Sequence, residues 1–462
     1  MKRFYLWFTL ALCKFAVLDA SAWNVDGNGI WSLATNWNPT NVPGSIGEPT
    51  ADLGNIITQP RTITIDQNFT ITGLTFDNSF SYTLDPSNSS SLTINGAVTV
   101  SAGSHVINAP VITATGMAVS TAASTSLDLG GVFSGTGTLT RTGLGQLSLL
   151  NLNNTFTGDI DLQSGSILSV ASLGGVGTVT LDVSAVFEPL STFTTTDRNF
   201  TFANQGIISV GAGNSFTVSG EVTGGVLIKE GNGTLIFTNN NNGLSSTGIV
   251  AGTLSVANAD QLALNGGVVS CIVGTTLQLI EDTELTGSLF ITPSGPLGTV
   301  TIDTGSNTFT HSGAILGTSG AGSLTKTGVG TLVLTNTGNS ALNSPLIIEE
   351  GVVSVGSGDQ LIGEVTLDGG ALEATSSLTQ NFGLVMGANG GEISTPLPGT
   401  TFTQAGAVEG PGSYTKTGSG TLSLTNTSNA AQTDAPLTIA EGVVSVSSGD
   451  QLTGEVTLDG GV

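Results

Sequence analysis

Six basic residues follow position 22 of this 462-residue chain, and four of them fall at one place in a repeat. Arg141, Lys229, Lys326 and Lys416 are separated by 88, 97 and 90 residues, while Arg61 and Arg198 stand outside the series. Cations of this kind, set among clustered carboxylates, serve as base or charge stabiliser when polysaccharides are cleaved. The carboxylates nearest to forming a pair are Asp159 and Asp161, which share a strand face, and Glu349 and Glu350, which a strand would send to opposite faces. His105 and His311, the two histidines, have no partner at metal-ligand spacing. No serine sits in G-x-S-x-G with a usable histidine, and GTGTLTRTG lacks the G-K-[ST] ending of a phosphate loop. At strand spacing the repeats lie about 20 Å apart, so the four repeated cations cannot converge on one substrate. Each is expected to lay its stem over a neighbouring strand and hold its charge in water. No catalytic residue, cofactor or metal is assigned.

The elements that carry these residues are written in the repeats. Residues 351–370 read GVVSVGSGDQLIGEVTLDGG and residues 442–461 read GVVSVSSGDQLTGEVTLDGG. Units of the form G-x-L-x-[KR]-x-G-x-G-x-L begin near 137, 225, 322 and 412, the last of them incomplete. Inside each unit runs a finer beat. Leu332 leads to Val352 and on to Ala371, Leu346 to Val365, Leu147 to Ile167, Ile160 to Val179, Leu235 to Leu254, Ile249 to Val268, Leu437 to Val456, and Leu422 to Val443. The runs alternate aliphatic residues with Thr and Ser, the period of half-buried strands. Gly, Asn, Asp and Ser between them supply turns. No segment past the N-terminus has an apolar period of 3.6. About 19–20 residues holding three short strands suit one rung of a right-handed parallel β-helix, an all-β solenoid. In such a coil, equivalent strands pair from rung to rung and inward aliphatics stack. About 440 residues would build a rod roughly 100 Å long. A β-sandwich or a propeller is the competing array, but its blades need about 40 residues or more.

Residues 1–22 read as a secretory signal peptide: Lys2 and Arg3, then an apolar stretch, then Ala20-Ser21-Ala22 before the cut. Past it, no segment is long and apolar enough to span a bilayer. Cleavage there leaves Cys271 without a second cysteine, on a face with Val269 and Val273, as a small buried hydrophobe. The net charge of −24 argues against nucleic acid and against anionic membranes as partners.

The mature start, WNVDGNGIWSLATNWNPTNVPG from Trp23, carries Trp23, Trp31 and Trp37. Residues 23–60 are read as a Trp-rich cap over the bare first rung, and residues 61–462 as the solenoid. PRTITIDQNFTITGLTFDNSFSYTL follows from Pro60, then AGSHVINAPV from Ala102, then the four units. This order resembles bacterial exported proteins with autotransporter-associated β-strand repeats, the passenger solenoids of Gram-negative bacteria. The resemblance implies a secreted or outer-membrane surface protein, adhesin-like, that displays many weak sites to host glycans or proteins without catalysis. A purely structural coat or stalk, and behind it a polysaccharide-active β-helix enzyme, stay open as alternatives. The family's C-terminal membrane barrel does not follow by Val462, so the chain is expected to be a truncated product.

Overall fold

A computed structural model describes residues 20–462 apart from 48, 242, 293–297, 318–321, 340–344, 362, 427–435, 448–451 and 453. The signal-peptide reading of residues 1–19 lies outside the described residues. From Ser21 onward, short strands pair in parallel with their counterparts one turn on, making a β-solenoid of about 18 turns. The one antiparallel strand pair among the described residues joins Ser21–Trp23 to Trp37–Asn38. A 25-stranded sheet runs from Ser21–Trp23 to Ile315–Gly317. Ladders of eleven strands (Phe193–Thr195 to Val408–Glu409), nine (Thr283–Leu285 to Val456–Leu458) and four (Leu378–Gln380 to Val443–Val446) carry the rest. No α-helix occurs among the described residues; three-residue 3-10 turns sit at four corners.

Alternation does the sorting. In Thr234–Phe237, Leu235 and Phe237 are buried while Thr234 and Ile236 are half-exposed, and most strands repeat that pattern. One inward column runs Leu235, Leu254, Leu277, Ile302, then Lys326, then Ile348, Leu367 and Met386, each the register partner of the next. The column is a continuous dry core with one cation set into it.

The 19-residue step holds where the intervening turn is tight: Ile160 pairs with Val179, Leu235 with Leu254, Leu346 with Val365, Val352 with Ala371 and Leu437 with Val456. Four expected pairings are corrected. Leu147 meets Leu168, Leu332 meets Val353 and Leu422 meets Val444, each one residue beyond the expected partner. Run starts such as Ile167 and Val352 point outward, and a one-residue slip would turn each strand inside out. Ile249 pairs with Cys271 rather than Val268, because 3-10 turns at Asp260–Leu262 and Leu264–Gly266 lengthen that rung. Leu277 pairs with Ile302, 25 residues on. Such insertions give fewer turns, and at strand spacing about 18 turns stack to roughly 85 Å, shorter than expected.

The three tryptophans pack at the N-terminal end as one cluster. Trp37 meets Trp23 and Trp31 edge-on at 5.2 and 4.8 Å, and Trp31 lies 5.8 Å from Phe69. Each indole N–H donates to a main-chain oxygen, of Val25, Pro43 and Trp31 respectively for Trp23, Trp31 and Trp37. Pairing already begins within the expected cap, since Thr50–Leu53 lies in register with both Ser21–Trp23 and Phe69–Asp77. Trp31→Ala should lower stability by about 3–5 kcal/mol. Urea unfolding checks this, with loss of amide protection expected first at Thr50–Leu53.

Candidate functional site

The repeated cations do not face water. Arg141, Lys229, Lys326 and Lys416 are all fully buried, which corrects the expectation that they snorkel. Their strands make this unavoidable. In Ser323–Thr327, Leu324 points inward, so two residues on Lys326 does too, between Ile302 and Ile348. Lys229 lies between Ile208 and Ile249, Lys416 between Ile393 and Ile439, and Arg141 between Val119 and Leu162.

Each ammonium is met by a cage of main-chain oxygens. Lys326 Nζ donates to the carbonyls of Thr327 (2.9 Å), Gly328 (2.7 Å) and, from the next rung, Glu350 (3.2 Å). Lys229 Nζ donates to Glu230 (2.9 Å), Gly231 (2.7 Å) and Ala251 (3.0 Å). Lys416 Nζ donates to Thr417 (2.5 Å), Gly418 (2.7 Å) and Glu441 (3.3 Å). Three donors meet three acceptors, so a buried charge is retained without a counter-ion. Arg141 fills the first copy differently. Its guanidinium donates to the carbonyls of Ile167 (3.2 Å), Val119 (3.4 Å) and Gly145, and to the Thr121 hydroxyl (2.5 Å).

The motif glycines now have a cause. Gly328 holds φ +77, the left-handed turn at which its own carbonyl accepts from Lys326. A Cβ on Gly330 would sit 2.0 Å from the Asn307 carbonyl oxygen of the rung below. K-x-G-x-G, with Ala251, Glu350 or Glu441 supplying the third oxygen, encodes a staple between rungs. Arg198, outside the repeat, is also fully buried and donates to the carbonyls of Phe156 (2.8 Å), Gly158 (3.0 Å) and Gly174 (3.2 Å).

Burial draws Lys229 and Lys326 down to about 8 and lowers Lys416; nearby carboxylates (Glu230 for the first, Asp303 and Glu350 for the second) pull the other way. Burial takes Arg141 and Arg198 to about 10. Lys229, Lys326, Arg141 and Arg198 stay charged at neutral pH. A surface lysine with a value near 8 would be unusually quick to acylate. In the processed chain an amine-acylating reagent should modify at most the α-amine while the protein is folded, and the three ε-amines only after denaturation. Mass spectrometry counts the added groups, and a fast second addition to the folded protein would contradict the cages.

The exterior is correspondingly one-sided. None of the described carboxylates is buried. Among the described basic residues, Arg61 alone has exposed side-chain surface, 19%, and it is paired with Asp26 at 2.9 Å. Glu349 and Glu350 sit in a turn and both face water, rather than opposite faces of a strand. Asp161 lies within Ile160–Leu162 and Asp159 just before it, without a cation facing them on the surface. His105 and His311 are both buried, and no cluster of His, Cys, Asp or Glu among the described residues could hold a metal ion. Cys271 is fully buried and burial pushes its thiol up to about 12, which fits the small-hydrophobe reading.

Over 289 residues, 54% of its length, the chain is 32% identical to the adhesin BmaC autotransporter of Brucella suis biovar 1 (strain 1330). The likeness is to an autotransporter adhesin. The chain spans 8% of that protein's length. No family model matches the chain, and no solved structure does. A parallel β-solenoid is consistent with an autotransporter passenger region, so fold and relative agree with the resemblance carried by the repeats.

Proposed function

We propose that this chain is an exported, surface-displayed passenger that acts as an adhesin by geometry rather than by catalysis. The similarity to an autotransporter adhesin carries the reading. The stacked rungs support it, because outward Thr and Ser recur once per turn; Ser215, Thr234, Thr253, Thr276 and Thr301 are successive register partners. A ligand with repeating units would meet many weak contacts, and linked weak contacts raise avidity. The caged cations favour neutral or basic partners, since a surface of carboxylates repels sulfated and sialylated glycans at low salt.

Glycan and host-protein arrays probed with the purified chain test this. Binding to neutral glycans or basic proteins, strengthened by tandem display, is expected. No binding on either array would leave the coat or stalk reading, and release of reducing sugar from a polysaccharide would replace both with an enzyme. A preference for sulfated ligands would contradict the charge argument alone.

A further inference from the structure

The leader expected from the sequence ends with a cut after Ala22, yet the fold uses the two residues just before that bond. Ser21 is fully buried, and Ser21–Trp23 forms a strand held on both sides. On one side Ser21 and Ala22 lie in register with Ala51 and Asp52 of the first rung; on the other Ala22 and Trp23 oppose Asn38 and Trp37. Without Ser21 and Ala22, Thr50–Leu53 would lose both register partners on that edge. Trp23 would lose the two residues that precede it in its strand, although its indole and its strand pairing are both in use in the tryptophan cluster. Ala20, by contrast, is exposed and belongs to no strand.

We propose that processing occurs after Ala20, so that Ser21 is the mature N-terminus. Ala20 supplies the small residue that a leader peptidase takes immediately before the cut, while Leu18, two residues earlier, is an uncharged aliphatic larger than the A-x-A pattern. The protease acts on the extended chain during export and does not itself sense the fold. The fold sets which product can close its first rung. This inference rests on the export reading, and the test separates the two.

The full chain is expressed in a Gram-negative host, and the exported product is analysed by N-terminal sequencing and intact mass. Ser21 should come first. Ala20→Leu should block or displace the cut, and Ala22→Leu should leave it in place. A product beginning at Trp23 with native stability would overturn the choice of site while keeping export intact. An uncut chain retained in the cytoplasm would overturn both.

Discussion

Lys326→Met should destabilise the protein by about 3 kcal/mol or more, although methionine matches the stem and suits an aliphatic column. The loss comes from the cage. The Gly328 and Glu350 carbonyls lose their donor, while Thr327 keeps the Thr304 amide at 3.1 Å, and each unsatisfied group costs about 1–3 kcal/mol. Removing one partner of a buried charged site is far worse than never having built it. Glu350→Ala is the control: Lys326 uses the main-chain oxygen of Glu350, so truncating that exposed side chain should change stability by less than about 0.5 kcal/mol. Urea unfolding measures both. Hydrogen exchange should localise the damage to amides around Gly328 and Gly351, because a solenoid is coupled mainly to its nearest rungs. A Lys326→Met protein as stable as the parent would mean that the cages are incidental.

His311→Leu should remove most of the acid sensitivity of the region around residue 311. His311 lies inward between Leu285 and Leu334, and neither ring nitrogen has a hydrogen-bond partner among the described residues. Burial lowers it from 6.5 to about 4; main chain at Leu285 and Ala314 pulls weakly the other way without making a hydrogen bond. A folded value below the unfolded one means that the unfolded chain takes up a proton first. Stability from this group is therefore complete above pH 6.5 and drains away as pH falls toward 4, by about 3 kcal/mol at roughly 1.4 kcal/mol per unit. Leucine continues the column and does not titrate. Unfolding free energies at pH 7.5 and 4.5 should differ by about 2–3 kcal/mol less in the variant. Equal pH slopes would refute the assignment. A residual slope is expected from His105, also lowered by burial. Its Nδ1 accepts from the Tyr82 amide at 3.1 Å and its Nε2 donates to Ala102 at 2.7 Å, an arrangement that suits the neutral ring.

How much of this was legible beforehand varies by element. The parallel coil follows from repetition plus alternation, as Val352 and Ala371 show by pairing at the expected step. The slips at Leu147, Leu332 and Leu422 arise because a run's first apolar letter need not be its first inward one. In Ser323–Thr327 the same alternation put Lys326 on the face of Leu324. That signal stood in the sequence. It was outweighed by the rule that charged side chains stay wet, which fails wherever the main chain supplies enough acceptors.

The cap follows the same division. Three tryptophans within fifteen residues announce a cluster, while the part that Ser21 plays in it needs the pairing with Ala51.

By itself, then, the order of residues determined the strand period, the stacking of aliphatics and the sign of the net charge, because each depends on neighbours along the chain or on plain counting. Tertiary structure decided which oxygens surround each ammonium and that nearly every cation leaves the surface. Those outcomes depend on carbonyls from two adjacent rungs, some 22–25 residues apart, being turned toward one point by left-handed glycines.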